Sequence, residues 1–481
     1  MKNLPASTNI STMSDNHFEQ ILKYIEKFSE SVIFRGNAER NVKFNDMLQK
    51  VLGFQKVKNE INKASKTSKN QVIKPSSIKV QLPDEVWLKI MSYLTSKDIF
   101  ANFALVCKHF KNLSLDSQAI KCLDLFGITN AKKYKSVLKV LERSNNLYGL
   151  KIGGSMNYYN RLLEHSLKLN PNMKSLTFLR QFKPNTKLSK YSELSSEVVS
   201  AFGSDLEHLE LDCVTMTDEL SKAISVQKKL KTLKFYPSTR QSNQLVTIAK
   251  NCIELENVTF YSIGFSNEYK DNVPAYDTFF EERSSTLKHL EITSIYKPGK
   301  TFYQEQDRFM KNVSLCQNLE RLQIGTYCSV LTNYGLDIIT KLTNLRKLYL
   351  NKLGPAATEI NSLLQESNLP NLEKIVVSGS NHITEDFFTT LIKRQSFNLK
   401  DVYIYNCPNL KIQPSTLNSL IGKKVSCVAL LGVEWPTIAE ISWGMLQNEI
   451  KKNSLYVHVG RTWVGISKYI RGQDMLDPLA V

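Results

Sequence analysis

Leu345-Arg346-Lys347-Leu348-Tyr349-Leu350 and, further along the chain, Leu372-Glu373-Lys374-Ile375-Val376-Val377 are two copies of one pattern. Each runs apolar, two variable residues, apolar, one variable residue, apolar. Moving toward the N-terminus, the pattern returns at Leu319-Leu322-Ile324, Leu287-Leu290-Ile292, Leu255-Val258-Phe260, Leu230-Leu233-Phe235, Leu206-Leu209-Leu211, Met173-Leu176-Phe178 and Leu147-Leu150-Ile152. Toward the C-terminus it continues at Leu399-Val402-Ile404 and, more weakly, at Val425-Val428-Leu430. From Leu147 to Val425 the first positions recur at steady intervals of about 24–33 residues, the spacing of a stacked-repeat architecture.

Alternation at the fourth and sixth positions is the period of a strand with one buried face. The segments that follow have helical spacing: Leu220, Ala223 and Ile224; Leu245, Ile248 and Ala249; Leu336, Ile339 and Leu342; Phe387, Leu391 and Ile392. One strand and one helix cannot bury their apolar faces alone, so successive units must stack. The predicted fold class is therefore α/β, a solenoid of parallel strands with outer helices. Eleven strands about 4.8 Å apart give an inner arc of about 48 Å or more, enough to hold a folded partner.

These units resemble leucine-rich repeats over about Asn146 to Gly432, which implies a horseshoe. Ile383-Thr384-Glu385 and Thr332-Asn333-Tyr334-Gly335-Leu336 are similar to the strand-to-helix passage of the cysteine-containing subclass, and Cys407 stands at its ninth position. Val214, Tyr327 and Ser380 occupy that position in other repeats.

Composition sets the bounds. The chain has 481 residues, 42% hydrophobic and 22% charged, which excludes collagen-like, mucin-like and wholly disordered classes. Its longest apolar run, Val428 to Val433, falls far short of the ~20 residues a spanning helix needs. Met1 to Thr8 has no signal-peptide character, and the eight cysteines form no C-x-x-C pair. The expectation is a soluble protein of the cytoplasm, the nucleus or both, with cysteines as small buried thiols. Net charge is +18, and Lys50 to Lys79 alone holds eight lysines against Glu60. That run reads as a solvated linker, with a docking or nuclear-import segment as the alternative.

Before the repeats, Val80 to Asp116 carries three short helical patterns. Pro83 suits a first helical position, and Asp84 and Glu85 complement the helix dipole. Val86, Ile90, Met91 and Leu94 form one apolar stripe. Thr95 and Asp98 have capping-box spacing, and Leu105, Val106 and Phe110 give the next apolar face. So short a trio cannot cover all that surface itself.

This segment resembles an F-box at Leu82, Pro83, Glu85, Val86, Ile90, Leu94, Asp98, Leu105, Val106, Cys107 and Phe110. The resemblance implies docking on the small Skp adaptor, and through it on cullin and a RING subunit, by Leu82, Pro83, Glu85, Val86, Ile90, Leu94, Leu105, Val106, Cys107 and Phe110. Phe110 stands where an aromatic, often Trp, is usual. F-box and repeats together imply a substrate receptor of an SCF-type ubiquitin ligase. A merely structural cap for the solenoid is the plain alternative.

Strand positions three, five and seven of such a solenoid face its inner side. They bring Tyr236, Tyr261, Tyr349, Tyr403 and Tyr405 there, and tyrosine is enriched at protein interfaces, although it is also simply a good strand residue. Charges on that face are mixed: Glu210, Asp212, Glu291 and Asp401 against Lys234, Arg321, Lys347 and Lys374. A protein segment suits it better than a nucleic-acid track of one sign. The long repeats place extra residues at Arg180 to Ser192, Gly264 to Tyr276 and Tyr296 to Gln304, predicted as a rim carrying Lys183, Lys187, Lys190, Tyr269, Tyr276, Lys297, Phe302 and Tyr303. Such a rim suits an acidic or phosphorylated segment; variable solvated loops are the alternative.

The seven histidines have no metal-ligand spacing, and no phosphate loop or G-x-S-x-G occurs. No catalytic residue, metal or cofactor is expected; His208 and His289 read as exposed sheet residues. The expected organisation is 1–54, an N-terminal helical region without assigned role; 55–78, the basic linker; 79–120, the F-box; 121–145, connecting helices; 146–432, the repeats; and 433–481, a C-terminal cap or tail holding Trp435, Trp443 and Trp463. A non-ligase binding scaffold and a basic nucleic-acid-associated adaptor remain as other readings, and no membrane partner is expected.

Overall fold

Each repeat becomes a strand because its fourth and sixth residues point to one side, where the next helix covers them. Leu290 and Ile292, Leu348 and Leu350, and Val402 and Ile404 are all buried there. In this computed structural model the structure describes mainly residues 84–91, 108–114, 119–125, 147–153, 168–179, 188–236, 242–261, 273–293, 302–325, 331–351, 357–394, 398–411, 427–431 and 456–460. They fall into two compact units. One reaches to Asp124 and takes in Leu141 and Leu147; the other holds Leu125 and the described residues from Tyr148 to Gly460.

The first unit contains α1 (Asp84–Met91), α2 (Lys108–Leu113) and a strand, β1 (Cys122–Asp124). The second is built on β2 (Gly149–Gly153), β3 (Ser175–Leu179), β4 (His208–Thr215), β5 (Thr232–Tyr236), β6 (Asn257–Phe260), β7 (Ile263–Gly264), β8 (His289–Ile292), β9 (Ile295–Tyr296), β10 (Arg321–Ile324), β11 (Lys347–Asn351), β12 (Lys374–Ser378), β13 (Asp401–Tyr405), β14 (Cys427–Leu431) and β15 (Tyr456–Gly460). Its main sheet runs β2-β3-β4-β5-β6-β8-β10-β11-β12-β13-β14-β15, and the pairs are parallel. The helices α3 (Leu188–Ala201), α4 (Asp218–Ser225), α5 (Ser242–Asn251), α6 (Val273–Arg283), α7 (Phe302–Val313), α8 (Asn333–Thr340) and α9 (Glu385–Lys393) pack each on its neighbour in chain order, with a 3₁₀ turn at Ile360–Leu364 between the last two. The fold is a leucine-rich-repeat solenoid.

All eleven predicted strands form, and the structure corrects the two ends. Residues 121–145, expected as connecting helices, begin with β1, and Ile120, Leu123 and Leu125 repeat the apolar spacing with all three side chains buried. The N–H of Leu125 donates to the carbonyl of Lys151 at 2.7 Å, so the chain already runs along β2 there. At the other end the beat continues through β15, in register with β14 from Cys427↔Tyr456 to Leu431↔Gly460. Its first position is Ser454, which hides it from an apolar search. Residues 1–54, the linker 55–78, and Trp435, Trp443 and Trp463 lie outside the described residues.

The insertions after β6 and β8 are not only loops. β7 and β9 pair with each other, Ile263↔Ile295 and Gly264↔Tyr296, and α6 and α7 begin within them. Tyr276, predicted on an exposed rim, is buried and meets Phe260 and Phe309 edge to face at 5.8 and 5.6 Å. The helix turns it inward beside Phe279 and Phe280, which extend the same ring cluster. After β3, α3 likewise takes up the insertion from Leu188.

Two ladders tie the repeats together along the edge where the strands begin. The asparagine before the first apolar position donates to a carbonyl of the preceding repeat: Asn318 to Ser285 at 2.8 Å, Asn344 to Gln317 at 2.9 Å, Asn371 to Thr343 at 3.0 Å and Asn398 to Pro370 at 2.9 Å. The residue after that apolar position changes sign at every step: Lys174, Glu207, Lys231, Glu256, Lys288, Glu320, Arg346, Glu373, Lys400. Each N–H in this column from Glu207 onward donates to the carbonyl of the column residue one repeat earlier, so the side chains stand side by side. Lys174 reaches Glu207 at 2.6 Å, Lys288 reaches Glu256 at 2.9 Å, and Glu373 takes Arg346 Nε at 2.8 Å and Lys400 at 3.6 Å. Arg346 holds the Glu373 carboxyl below its ordinary range, as Lys174 does for Glu207.

Thr332 caps α8 by accepting from Gly335 N at 3.2 Å, as the strand-to-helix reading of that stretch requires. At Gly325, a Cβ would stand 2.3 Å from the Thr293 carbonyl oxygen, so glycine alone allows the close approach of β10 to β8.

Candidate functional site

Two surfaces are the candidates for function. In the first unit, α1 turns Trp87, Leu88 and Met91 into the core, and Phe110 of α2 meets Trp87 edge to face at 4.8 Å. Phe110, expected among the docking residues, is buried and its ring packs against Trp87, holding α2 to α1. Trp87 is the residue that sequence reading passed over, although it follows Val86 within the same pattern. At 100° per residue, positions 86 and 90 lie on a different face of α1 from 87, 88 and 91. Glu85 is exposed, and the Asp84 carboxylate lies 3.0 Å from His109 Nε2. Ser96 Oγ accepts from Asp124 N at 2.9 Å and ties β1 to this unit. Leu82, Pro83, Leu94, Leu105, Val106 and Cys107 lie outside the described residues, as do the side chains of Val86 and Ile90.

The second surface is the sheet face opposite the helices. It carries strand positions three, five and seven, and its two halves differ. On β4 to β8 it is a polar lattice. Tyr261 donates to Glu210 Oε1 at 2.5 Å; Thr259 and Gln323 donate to the two oxygens of Glu291 at 3.2 and 2.8 Å; Arg321 donates to Gln323 at 3.1 Å. Burial and the Glu210 carboxylate raise the Tyr261 hydroxyl well above its ordinary range, so it stays a donor.

From β10 to β13 the face is cationic and aromatic. The register sets Tyr349, Val376 and Tyr403 side by side, with Tyr405 stacked on Tyr403 at 6.2 Å and 29°. Arg321 lies over the Tyr349 ring at 4.8 Å, and the Lys374 ammonium lies 5.6 Å from Tyr349 and 4.7 Å from Tyr403. Such contacts favour a cation that has left water. Only 3% of Lys374, 4% of Tyr349 and 8% of Tyr403 is exposed. The five tyrosines therefore do not form one exposed contact patch. Tyr349 and Tyr403 are a packed floor, because strands this close force large neighbouring side chains together. Tyr405 is half-buried at its edge, Tyr261 belongs to the acidic lattice, and the side chain of Tyr236 lies outside the described residues.

Other expected features are distributed rather than clustered. His208 is half-buried, and His289 keeps solvent contact with its ring partly desolvated; desolvation lowers both from the ordinary histidine range. Cys252, Cys316 and Cys407 are buried, the first two pushed up to about 12, whereas Cys122 is exposed against expectation because it opens β1. Among the described residues no cluster of metal-ligand type occurs. None of the described helices is long and apolar enough to cross a membrane.

Residues 80–125 match the F-box-like family model. A chain of the yeast Rad7–Elc1 complex shares the fold, with a TM-score of 0.50 at 16% identity, over 85% of this chain and 97% of that one. The leucine-rich-repeat-containing protein LegL7 of Legionella pneumophila aligns at 14% identity with a TM-score of 0.35, over 63% of this chain and 91% of its own. Among curated proteins, the glutamine–tRNA ligase of Buchnera aphidicola subsp. Baizongia pistaciae is 24% identical over 295 residues, 54% of this chain. The chain spans about half the length of that curated relative, 50%. An F-box-like segment followed by a leucine-rich-repeat solenoid is the architecture of this protein.

Proposed function

We propose that this protein is a non-catalytic substrate-recognition adaptor of an SCF-type ubiquitin ligase, acting in the cytoplasm or nucleus. The F-box-like segment binds an Skp-family adaptor and, through it, cullin and the RING subunit. The solenoid holds a protein substrate. The observation that carries this reading is the F-box-like match at residues 80–125, directly ahead of a repeat array with a charged and aromatic open sheet face.

Two further facts support it. α1 commits Trp87, Leu88 and Met91 to its own core, which leaves the face with positions 86 and 90 open to the docking contact in this reading. A protein sharing the fold was crystallised as a complex, Rad7 with Elc1. Rate enhancement by such a part is effective concentration: it keeps substrate lysines near the ubiquitin thioester held by its partners. The domain limits follow the same division, an F-box at 79–120 and substrate-binding repeats at 146–432.

The test is a quantitative pull-down of the full-length chain with a purified Skp-family adaptor and cullin. Leu82→Ala with Pro83→Ala abolishes co-purification while the unfolding transition of the repeats is kept. Full retention of the adaptor by this variant contradicts the docking assignment, and adaptor binding without cullin recovery contradicts the ligase assignment.

A further inference from the structure

Adjacent columns of the same strands follow opposite electrostatic rules. In the second column of the repeat, signs alternate, and Lys174 pairs with Glu207, Lys288 with Glu256, and Glu373 with both Arg346 and Lys400. In the third, Arg321, Lys347 and Lys374 stand in register on the consecutive strands β10, β11 and β12. Neighbouring strands are about 4.8 Å apart, and like charges directly opposite one another destabilise a sheet. Arg321 and Lys347 form no ion pair among the described residues; Arg321 instead donates to Gln323 and covers the Tyr349 ring. The field reaches His289, the next residue of the column, whose imidazole is depressed by burial first and by Arg321 second.

The surroundings decide what kind of anion fits. The column is three strands wide, about 10 Å. Glu291 lies on the neighbouring strand at one side, and Asp401 continues the column at the other. A continuous phosphate backbone running across the strands meets a carboxylate at either side of this patch. A pair of side-chain carboxylates fits within it, and the tyrosine floor with Tyr405 at its edge suits the apolar side chains of a polypeptide.

We propose that Arg321 and Lys347, beside the Tyr349–Tyr403–Tyr405 floor, seat an acidic polypeptide segment through two carboxylates about 5 Å apart, the spacing of neighbouring strands. The proposal rests on the adaptor reading only for its choice of the solenoid as the part that receives cargo.

The experiment uses fluorescence anisotropy with the full-length protein and three probes: a short glutamate-rich peptide containing leucine, its glutamine counterpart, and oligothymidine. The glutamate peptide binds and the glutamine peptide does not. Arg321→Gln with Lys347→Gln weakens binding about tenfold or more, as expected for losing charge-assisted contacts, without lowering the melting temperature. Tyr405→Ala, at the edge of the floor, weakens it as well. Failure of the glutamate peptide to bind, equal binding by the double variant, or oligothymidine displacing the peptide overturns the proposal. The adaptor pull-down is independent: peptide binding lost with the adaptor retained refutes this inference alone, and the reverse refutes the adaptor reading alone.

Discussion

The charged edge and the cationic face are built from the same strands, one residue apart, and they do different work. Along the edge, every side chain in the second column has a neighbour of opposite sign, and asparagines close the carbonyls beneath it. On the face, Arg321 and Lys347 confront each other with like charge. The first arrangement holds repeat to repeat; the second sets like charges opposite one another, which the proposed acidic segment would neutralise. Burial under both columns comes from the leucines, and the charges above pair along the edge and stand in like-signed register on the face.

The largest change removes what both columns stand on. Leu348→Ala empties a fully buried site beneath β11 and is expected to cost about 2–5 kcal/mol in chemical denaturation, with peptide binding lost in proportion to unfolding. Retained stability would show that the columns do not share a common support. Asn344→Ala removes the donor to the Gln317 carbonyl and should cost about 1 kcal/mol while peptide affinity stays unchanged. A loss of affinity without a loss of stability would place the edge in the binding site.

Glu373→Gln takes the carboxylate from Arg346 and Lys400, a largely exposed contact worth about 0.5–1 kcal/mol. Because Glu373 titrates below its ordinary 4.5 when folded, the contribution is complete above that pH and disappears as pH falls through the lower folded value. Urea titrations of variant and wild type should therefore differ at neutral pH and converge in strong acid. Convergence at neutral pH would show that the alternation stabilises nothing. His208, one residue past Glu207, gives the smallest effect. Burial depresses its basicity, so the unfolded chain takes up the proton first and stability declines slightly as pH falls below 6.5. His208→Asn should flatten that part of the pH profile, and an unaltered profile would assign the decline elsewhere.

The repeat was legible because its signal is local: three apolar residues within six, returning at a steady interval. Ile120-Leu123-Leu125 obeys the same rule one interval ahead of Leu147, but the helical segment before it drew the reading toward more helix. Ser454 concealed β15 by placing a polar residue where the pattern expects an apolar one. Tyr276 read as a loop residue because the long spacing between Leu255 and Leu287 locates an insertion without showing that a helix begins inside it. The alternation of Lys174 through Lys400 was written in plain view, yet it acquires meaning only once those residues become neighbours across stacked strands. The burial of Lys374 has no local signal at all; it depends on Tyr349 and Tyr403, which belong to the repeats before and after its own, arriving on either side.

A thermal melt of the full-length protein tests the division between holding and recognition most directly. Arg321→Gln with Lys347→Gln is compared with Arg346→Gln, a member of the paired edge. The expected result is a melting temperature at or above wild type for the first and a lower one for the second. A face variant that melts below the edge variant would contradict it.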